Sequence, residues 1–413
     1  MVFCVHYLVN YMFVFLCRNM SSFVIHVTVA VLNFVLVVMG GDPPGHMQPI
    51  GAHAPPLPLA ELDTFPGPIE FFDNYVKPSR PVVFRGAAKQ FPSFDNWKND
   101  DYLKKTYGKW RIQAEEGKKE NRSLGVQDMS YRKFLSVYAK SDIYLVQDVL
   151  PPNPMTKEVF LPKCLLCGGY TDVISTAVMW FSSGGTKSVL HNDQFENINC
   201  LYDGSKELYM VDKKFADLVP IDVMDGGYSS VDVEKVDMYK YPTLGDLEWH
   251  LGKMEAGDCL YIPLNWYHHV NSSQTRNLAI NIWWNRMYDL PKREECAKQE
   301  ADLPSYDALI NYKIADPIEQ SRPILFDTFN ERAKSVSRED FVSRIENSVD
   351  EMMQPPENVD FGKLFDLMDT NNDGDLTVKE VYDTPAKMLY PFVGIGAFVD
   401  SGPPEEFDQR DEL

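Results

Sequence analysis

The pattern of hydrophobic and polar positions divides this 413-residue chain into stretches of different character. Residues 23–39 form an apolar run, and residues 42–58 are rich in proline, which predicts an extended linker. From about residue 108 to residue 285, short segments with β-branched and aromatic side chains alternate with turn residues, as in strands. Residues 287–350 carry apolar positions at helical spacing. We therefore expect a mainly β body followed by a smaller helical region.

Two segments of the body carry candidate metal ligands. In His191-Asn-Asp193, the first and third side chains point to the same face of an extended chain, so both can bind one ion. Residues 261–270 are rich in the side chains that strands prefer and contain a His-His pair. Because adjacent strand residues point to opposite faces, only one of His268 and His269 can join the other two.

Two imidazoles and one carboxylate form the donor set that binds non-heme Fe(II) and leaves coordination positions open. The chain has eight histidines, and only His191, His250, His268 and His269 lie in the part expected to form the body. Three of these four fall in the two candidate segments. This concentration favours an iron site over the alternative, a half-buried histidine beside a surface acid.

Composition and charge agree with an enzyme. A chain of this length holds two or three domains, and 44% hydrophobic and 13% aromatic residues can bury a core. The formal net charge is −20 and the pI is about 4.8. Since nucleic-acid-binding surfaces are basic, this acidity argues against a nucleic-acid partner.

Several motifs occur in the order typical of one enzyme family. They are Trp-Phe-Ser-Ser-Gly-Gly-Thr-Lys-Ser-Val-Leu-His-Asn-Asp-Gln-Phe-Glu-Asn at 180–197, Asp-Gly-Ser-Lys at 203–206, Gly-Asp-Cys-Leu-Tyr-Ile-Pro at 257–263 with His268, and Asn-Ile-Trp-Trp at 281–284. Over roughly residues 60–290 the chain resembles the JmjC branch of the cupin-type 2-oxoglutarate oxygenases, especially the small JmjC hydroxylases. The resemblance implies a mainly β fold with a double-stranded β-helix (cupin, or jelly-roll) core and flanking helices. It also implies Fe(II) as cofactor, 2-oxoglutarate as co-substrate and a protein as substrate.

The resemblance assigns roles to individual residues. It makes His191, Asp193 and His268 the catalytic iron ligands, with His268 favoured over His269. It pairs Lys206 with the distal carboxylate of 2-oxoglutarate, through a charge-assisted bond. The alternative for Lys206 is a solvated hairpin residue, because the preceding Asp-Gly-Ser is a turn signal. Further 2-oxoglutarate contacts are implied for Tyr144, Ser188, Asn197 and Asn281; ordinary strand packing is the alternative for the first and last.

The start of the body also resembles these hydroxylases. From residue 63 onward the resemblance implies a helix at 70–75 and a strand at 80–86, and residues 95–97 and 102–105 suggest another short helix.

A second motif lies near the C-terminus, where residues 369–380 match the twelve-residue loop of an EF-hand. The implied calcium ligands are the side chains of Asp369, Asn371, Asp373 and Glu380 and the carbonyl of Asp375, with Gly374 at the sharp turn. The alternative is an acidic turn in an acidic chain. EF-hands usually pair, and residues 326–344 are the best candidate for a degenerate, calcium-free mate. We expect the calcium to be structural, because the sequence shows no element that couples it to the iron site.

Both ends of the chain read as targeting signals. The apolar run at 23–39 ends in Gly40-Gly41 and is typical of a cleaved signal peptide, with residues 1–19 as an upstream extension; the alternative is an uncleaved signal anchor. The last four residues, Arg-Asp-Glu-Leu, resemble the retrieval signal of the endoplasmic reticulum and imply its receptor as a partner. Both signals predict the lumen of that compartment.

An oxidising lumen permits disulfides and glycosylation. Five cysteines follow the targeting segment, so at least one is unpaired, and Cys164-Leu-Leu-Cys167 is one candidate disulfide. Asn121 and Asn271 stand in glycosylation motifs.

The expected organisation follows from these features. It comprises a targeting segment at 1–41, a linker at 42–58, an oxygenase domain at 59–290, a helical region with the degenerate mate at 291–345, an EF-hand at 346–395 and an acidic tail at 396–413. The sequence favours an oxygenase. The alternatives are a catalytically silent JmjC fold that serves as a binding module, and a calcium-binding, chaperone-like resident of the endoplasmic reticulum.

Overall fold

The computed structural model describes residues 41–118, 125–222, 227–315, 319, 322–329, 334–350 and 359–393. The apolar run, the Asn121 motif and the terminal Arg-Asp-Glu-Leu lie outside these ranges. The strands are β1 Ala60–Leu62, β2 Val82–Phe84, β3 Arg111–Glu116, β4 Val126–Ser130, β5 Ile143–Asp148, β6 Phe160–Pro162, β7 Ile174–Ser182, β8 His191–Asn192, β9 Glu196–Asp203, β10 Ser205–Val211, β11 His250–Glu255, β12 Cys259–Ile262, β13 Tyr267–Ser272, β14 Asn277–Trp284, β15 Tyr306–Ala308, β16 Ser335–Ser337 and β17 Asp375–Thr377. The α-helices are α1 Pro68–Phe71, α2 Asp100–Tyr107, α3 Tyr131–Val137, α4 Gly168–Thr171, α5 Arg293–Gln299, α6 Arg322–Asp327, α7 Arg338–Asp350, α8 Phe361–Met368, α9 Val378–Asp383 and α10 Ala386–Val393.

Two sheets form the body. One has the strand order β1-β2-β12-β9-β14-β7-β5-β3-β4 and the other the order β11-β10-β13-β8. They pack face to face through a shared apolar cluster, to which the large sheet contributes Leu201, Leu260 and Ala279 and the small sheet Leu208 and Met210. A cupin or jelly-roll core fits this sandwich with its flanking helices.

Alternation along the strands sets what faces the interior of the sandwich. On β14, Ile280 and Ile282 point outward to a large core that includes α1, α2 and α3, so Asn281 points inward. On β10, Leu208 and Met210 point inward, and Lys206 shares their face. Polar side chains are thereby placed inside a largely apolar sandwich.

The predicted elements at the start of the body are confirmed. The helix expected at 70–75 begins at Pro68 and continues through a wider turn to Val76, and β2 lies within the expected strand. The side chain of Asn99 caps α2 by accepting bonds from the backbone N–H groups of Asp101 and Tyr102, at 2.9 and 3.2 Å.

The prediction of an extended linker at 42–58 is wrong. This segment turns back onto the body, where Met47 N–H donates to the carbonyl of Val236 (2.8 Å) and Leu57 N–H to that of Trp249 (2.7 Å). The indole of Trp249 donates to the carbonyl of Ala54 at 2.7 Å. Proline restricts φ but leaves the intervening amides free to pair, so a proline-rich segment can still dock.

The chain stays on the body after β14. The β15 strand pairs with β6, and Ala315 N–H donates to the carbonyl of Ile174 at 2.7 Å. A disulfide joins Cys167 to Cys296 on α5, and a second joins Cys200 on β9 to Cys259 on β12. Cys164 is buried and unpaired, so the candidate Cys164–Cys167 disulfide is wrong, because Cys167 meets α5 instead.

The C-terminal part has a core of its own. Helices α8 and α9 flank a loop, and β17 at the end of that loop pairs with β16, with Leu376 opposite Val336. This unit joins the body through Tyr288, whose backbone N–H donates to the hydroxyl of Tyr382 on α9 at 3.0 Å. The rings of both tyrosines lie 4.7 Å from that of Phe326.

Within the described ranges, none of the helices is both long and apolar enough to cross a membrane.

Candidate active site

Three candidate iron ligands meet in the sandwich. His191 on β8 lies directly opposite His268 on β13, and Asp193 follows β8. The Nε2 atom of His191 is 3.9 Å from Asp193 Oδ1, and that of His268 is 3.7 Å from Asp193 Oδ2. All three candidate donor atoms lie within 4.8 Å of one another, so one metal ion can contact all of them.

Backbone carbonyls fix the orientation of both imidazoles. The Nδ1–H group of His191 donates to the carbonyl of Val189, and that of His268 to the carbonyl of Trp266, each at 3.0 Å. This tautomer leaves the Nε2 lone pairs directed toward Asp193. Burial, aided by the neighbouring His191, lowers the pKa of His268 to about 4, so its ring stays neutral and able to bind a metal.

His269 lies on the opposite face of β13. It pairs in register with Tyr209, and its Nδ1–H group donates to the carbonyl of Ser188 at 2.7 Å. Its role is to hold the backbone. The structure therefore selects His268, rather than His269, for the cluster.

A single cavity of about 470 Å³ contains the ligand cluster and Lys206. The Lys206 side chain is only 5% exposed, on β10 opposite Ser272 of β13. Burial lowers the pKa of Lys206 to about 8, and no acidic residue in the described part of the chain offsets that effect. An anion in the cavity would stabilise this buried ammonium by pairing with its charge.

The structure brings every residue with an implied 2-oxoglutarate contact to this cavity. Tyr144, Ser188, Asn197 and Asn281 all line it together with Lys206. The hydroxyl of Ser188 also accepts the backbone N–H of Val270 at 2.8 Å.

Comparison with known proteins identifies the family. The profile of the cupin-like domain matches residues 68–290, more than half of the chain. The chain belongs to the cupin-like domain family.

Characterised proteins share parts of this cupin-like chain. Lysine-specific demethylase JMJ30 of Arabidopsis thaliana is 29% identical over 227 residues, which is 52% of this chain and 52% of the plant protein. Bifunctional peptidase and (3S)-lysyl hydroxylase JMJD7 of Homo sapiens is 24% identical over 288 residues, 57% of this chain and 86% of the human protein. The tRNA wybutosine-synthesizing protein 5 of Gallus gallus is 29% identical over 212 residues, 51% of this chain and 56% of the chicken protein.

The cupin-like chain spans about half the length of the plant and chicken relatives. The predicted resemblance to JmjC hydroxylases is confirmed at the level of the family, and with it the expectation of an enzyme of the 2-oxoglutarate oxygenase class. The relatives themselves are named as hydroxylases and demethylases.

Several cavity residues were missed by reasoning from sequence. Asn199 lies two residues after Asn197 and donates to Asn281 Oδ1 at 2.7 Å, so strand periodicity could have found it. Ser272 follows His268 by an even number of residues, and its hydroxyl lies 2.9 Å from that of Thr186. Thr186 itself gives no comparable signal, because its loop reaches the cavity only in the folded chain.

Aromatic side chains complete the walls of the cupin cavity. Trp283 stacks on Phe195 with centroids 5.5 Å apart, and Tyr144 packs against Trp180 at 5.8 Å. The ring of Tyr228 stacks on that of His191 at 5.7 Å. These rings supply the apolar part of the cavity walls.

The donor set fits the cofactor that the family implies. Two imidazoles and one carboxylate suit Fe(II), and they occupy adjoining positions with open space beside them. A thiolate-rich or all-oxygen site would suit other metals, and this cluster is neither.

Proposed function

We propose that this cupin-like protein is an Fe(II)- and 2-oxoglutarate-dependent oxygenase that hydroxylates proteins in the lumen of the endoplasmic reticulum. The observation that carries the catalytic part is the buried Lys206 ammonium in the same cavity as His191, Asp193 and His268. A catalytically silent binding module has no need of both groups at once.

The residues divide the work of the reaction. Fe(II) held by the three ligands would supply the activation of dioxygen, coupled to oxidative decarboxylation of 2-oxoglutarate to succinate and carbon dioxide. Lys206 binds the distal carboxylate, and burial away from water strengthens that attraction. The hydroxyl of Ser188 and the amides of Asn197 and Asn281 orient the co-substrate. The aromatic walls exclude water from the reacting groups.

Relatives and charge support a protein substrate. The human relative is named as a lysyl hydroxylase and the plant relative as a lysine-specific demethylase. The chicken relative is named for tRNA, but the net charge of −20 on this chain repels a polyanion.

The test of the proposed reaction is turnover of 2-oxoglutarate. Purified protein with Fe(II), ascorbate and 2-oxoglutarate should form succinate, even without a protein substrate. Mass spectrometry of lumenal proteins from cells with and without the enzyme should then reveal peptides that gain one oxygen atom. If the iron-loaded, folded protein forms no succinate with or without lumenal extract, the oxygenase proposal fails.

Two features support residence in the lumen. The two disulfides join Cys167 to Cys296 and Cys200 to Cys259, and disulfides persist in oxidising compartments. The sequence adds the apolar run and the terminal Arg-Asp-Glu-Leu, which would engage the retrieval receptor.

We also propose that the loop between α8 and α9 binds calcium as an EF-hand. Asp369 accepts the backbone N–H groups of Asp373 and Gly374 at 3.2 and 3.0 Å, and Asp373 accepts that of Asp375 at 2.9 Å. Gly374 has φ +83°, a conformation that glycine adopts without strain. These contacts turn the loop tightly around the carboxylates of Asp369 and Asp373.

The neighbouring elements favour this assignment. Glu380 is 7% exposed; burial opposes its ionisation, but bonds from Thr377 and Thr370 hold its pKa below the usual value. It is therefore available as a carboxylate ligand. The β16–β17 pair joins the loop to the segment expected to be the degenerate mate.

A further inference from the structure

The loop at residues 263–266 connects β12 of the large sheet to β13 of the small sheet. It contacts two of the three ligand residues through backbone groups. Asn265 N–H donates to the carbonyl of Asp193 at 2.9 Å, and the carbonyl of Trp266 accepts the Nδ1–H of His268 at 3.0 Å. The conformation of this one loop thus fixes both Asp193 and His268.

The loop is a hydrogen-bonded turn, in which Trp266 N–H donates to the carbonyl of Pro263 at 3.1 Å. Asn265 has φ +62°, a left-handed conformation that asparagine adopts more readily than most residues other than glycine. These local features set the shape of the turn but not its position against the neighbouring strands. The contact that holds its position lies behind the large sheet, on the side of the core that contains Tyr261.

Glu196 on β9 provides that contact. It is 5% exposed, and its Oε2 atom accepts two hydrogen bonds, from the hydroxyl of Tyr261 at 2.6 Å and from the backbone N–H of Leu264 at 3.0 Å. Tyr261 lies on the strand that leads into the loop, and Leu264 lies within it. Glu196 therefore joins the strand that follows Asp193 to both the approach and the body of the loop.

The side chain of Glu196 does not line the active-site cavity. Its neighbour Asn197 does, because successive strand residues face opposite ways. Glu196 is therefore linked to the ligand residues through its hydrogen bonds to the loop rather than by direct contact.

We propose that Glu196 is a positioning residue for the metal centre: by accepting both hydrogen bonds it holds the turn at residues 263–266 in the position that directs Asp193 and His268 to a common ion. This inference rests on the proposed iron site and adds a residue that the site does not contain.

Binding of Co(II), a spectroscopic substitute for Fe(II), tests the proposal without turnover. We expect E196A to weaken Co(II) affinity by about 10- to 100-fold, as is typical when the support of a ligand is lost, and to alter the visible spectrum of the bound ion. E196Q keeps an oxygen that can accept both bonds, so its affinity should stay within a few-fold of wild type with the wild-type spectrum.

Asp258 supplies a matched control. It is a buried carboxylate at the other end of β12, where it accepts bonds from Arg85 and from the backbone of Gly86 and Glu255. D258A should lower the melting temperature but leave Co(II) affinity and spectrum unchanged.

The outcomes separate this inference from the proposed function. If wild-type protein binds no Co(II), the metal site itself is wrong. If wild type binds Co(II) and folded E196A binds it equally well with the same spectrum, Glu196 has no positioning role. An equal loss in E196Q and E196A would overturn the hydrogen-bond account. If E196A does not fold, Y261F removes one of the two donors alone: a several-fold weaker, spectrally altered site supports the proposal, and an unchanged site overturns it.

Discussion

At the scale of single residues, local periodicity predicts much of the site. The spacing of His191 and Asp193 and the strand-like surroundings of His268 could be read from the chain, because the alternation of a strand is a local property. The choice between His268 and His269 was left open by spacing alone, since it depends on which face of β13 turns inward. Glu196 and Ser272 act through residues distant in sequence, and only the folded chain shows those contacts.

The first prediction concerns Asp193. D193A should reduce succinate formation to background while the protein stays folded, because two imidazoles alone hold Fe(II) poorly in this geometry. H269A should be far milder, because His269 faces away from the cluster. Folding is checked by circular dichroism. Normal turnover in a folded D193A protein would reject the ligand set.

The second prediction concerns Lys206. Loss of one partner of a buried charge pair typically costs about 3–5 kcal/mol, so K206A should raise the 2-oxoglutarate requirement by roughly a hundred-fold or more. Metal binding should remain largely intact. A Michaelis constant for 2-oxoglutarate within a few-fold of wild type would contradict the assignment.

The pH dependence of Lys206 follows from the same burial. Its pKa of about 8 in the free protein lies below the ordinary value of 10.5, so affinity for the dicarboxylate should fall as pH rises above about 8. A bound carboxylate raises this pKa, so the loss of affinity extends from about pH 8 up to the higher pKa of the complex. Without ligand, the unfolded chain binds the proton more tightly, so the Lys206 contribution to stability rises between pH 8 and 10.5. K206M, measured by calorimetry and thermal melting, should lack both effects.

At the scale of elements, the sequence predicted the helix and strand near the start of the body and the strand-rich character of the rest. These depend on local propensity and capping, as Asn99 shows at α2. The proline-rich segment and the Cys164–Cys167 pair were mispredicted for one reason. In both cases the true partner lies far away in sequence and comes close only when the chain folds. The proline-rich segment bonds to the backbone around Val236 and Trp249, and Cys167 bonds to Cys296 on α5.

The third prediction concerns the loop between α8 and α9. At a calcium concentration 100 times the dissociation constant, binding should add about 2.7 kcal/mol of stability to the unit that contains it. The melting transition of that unit in the full chain should therefore rise with calcium. E380Q should abolish the rise, while E339Q, an exposed acid on α7, should keep it. Calorimetry that detects no calcium binding at millimolar concentration would exclude the site.

At the scale of the whole molecule, the segment that matches the cupin-like family is shorter than the body to which it belongs. The matched cupin-like domain ends at residue 290, yet α5 and β15 remain on the body through a disulfide and a strand pair. A sequence pattern could not show that these elements pack on the body. Helical periodicity indicates which face of a helix is buried, but not which part of the protein covers that face. Asn271 illustrates the same limit, because its glycosylation motif does not show that it lies within β13, opposite Glu207.

The fourth prediction concerns location. Deleting residues 410–413 should release the protein into the medium, or into later compartments if the N-terminal segment remains as an anchor. Replacing an equal length of the acidic tail just before the tetrapeptide is the matched control, and it should leave the protein retained. Immunoblotting of cells and medium measures both. A full-length protein found in cytosol or nucleus, with no glycan on Asn121 or Asn271, would count against lumenal targeting.

The contact between Tyr288 and Tyr382 has a thermodynamic consequence. Tyr382 lies two residues beyond the calcium candidate Glu380, and Tyr288 lies five residues beyond the cavity residue Trp283. Any influence that crosses this contact must be reciprocal, because the coupling free energy between two binding sites is the same in both directions.

Two titrations therefore check each other. The factor by which saturating calcium changes the affinity for 2-oxoglutarate must equal the factor by which saturating 2-oxoglutarate changes the affinity for calcium. We expect both factors to be close to one if calcium is only structural. If one factor departs from one, the other must depart by the same amount. Y382F removes the acceptor hydroxyl and should then return both factors toward one. Calcium and 2-oxoglutarate would then each change the affinity of the protein for the other through a single tyrosine hydroxyl.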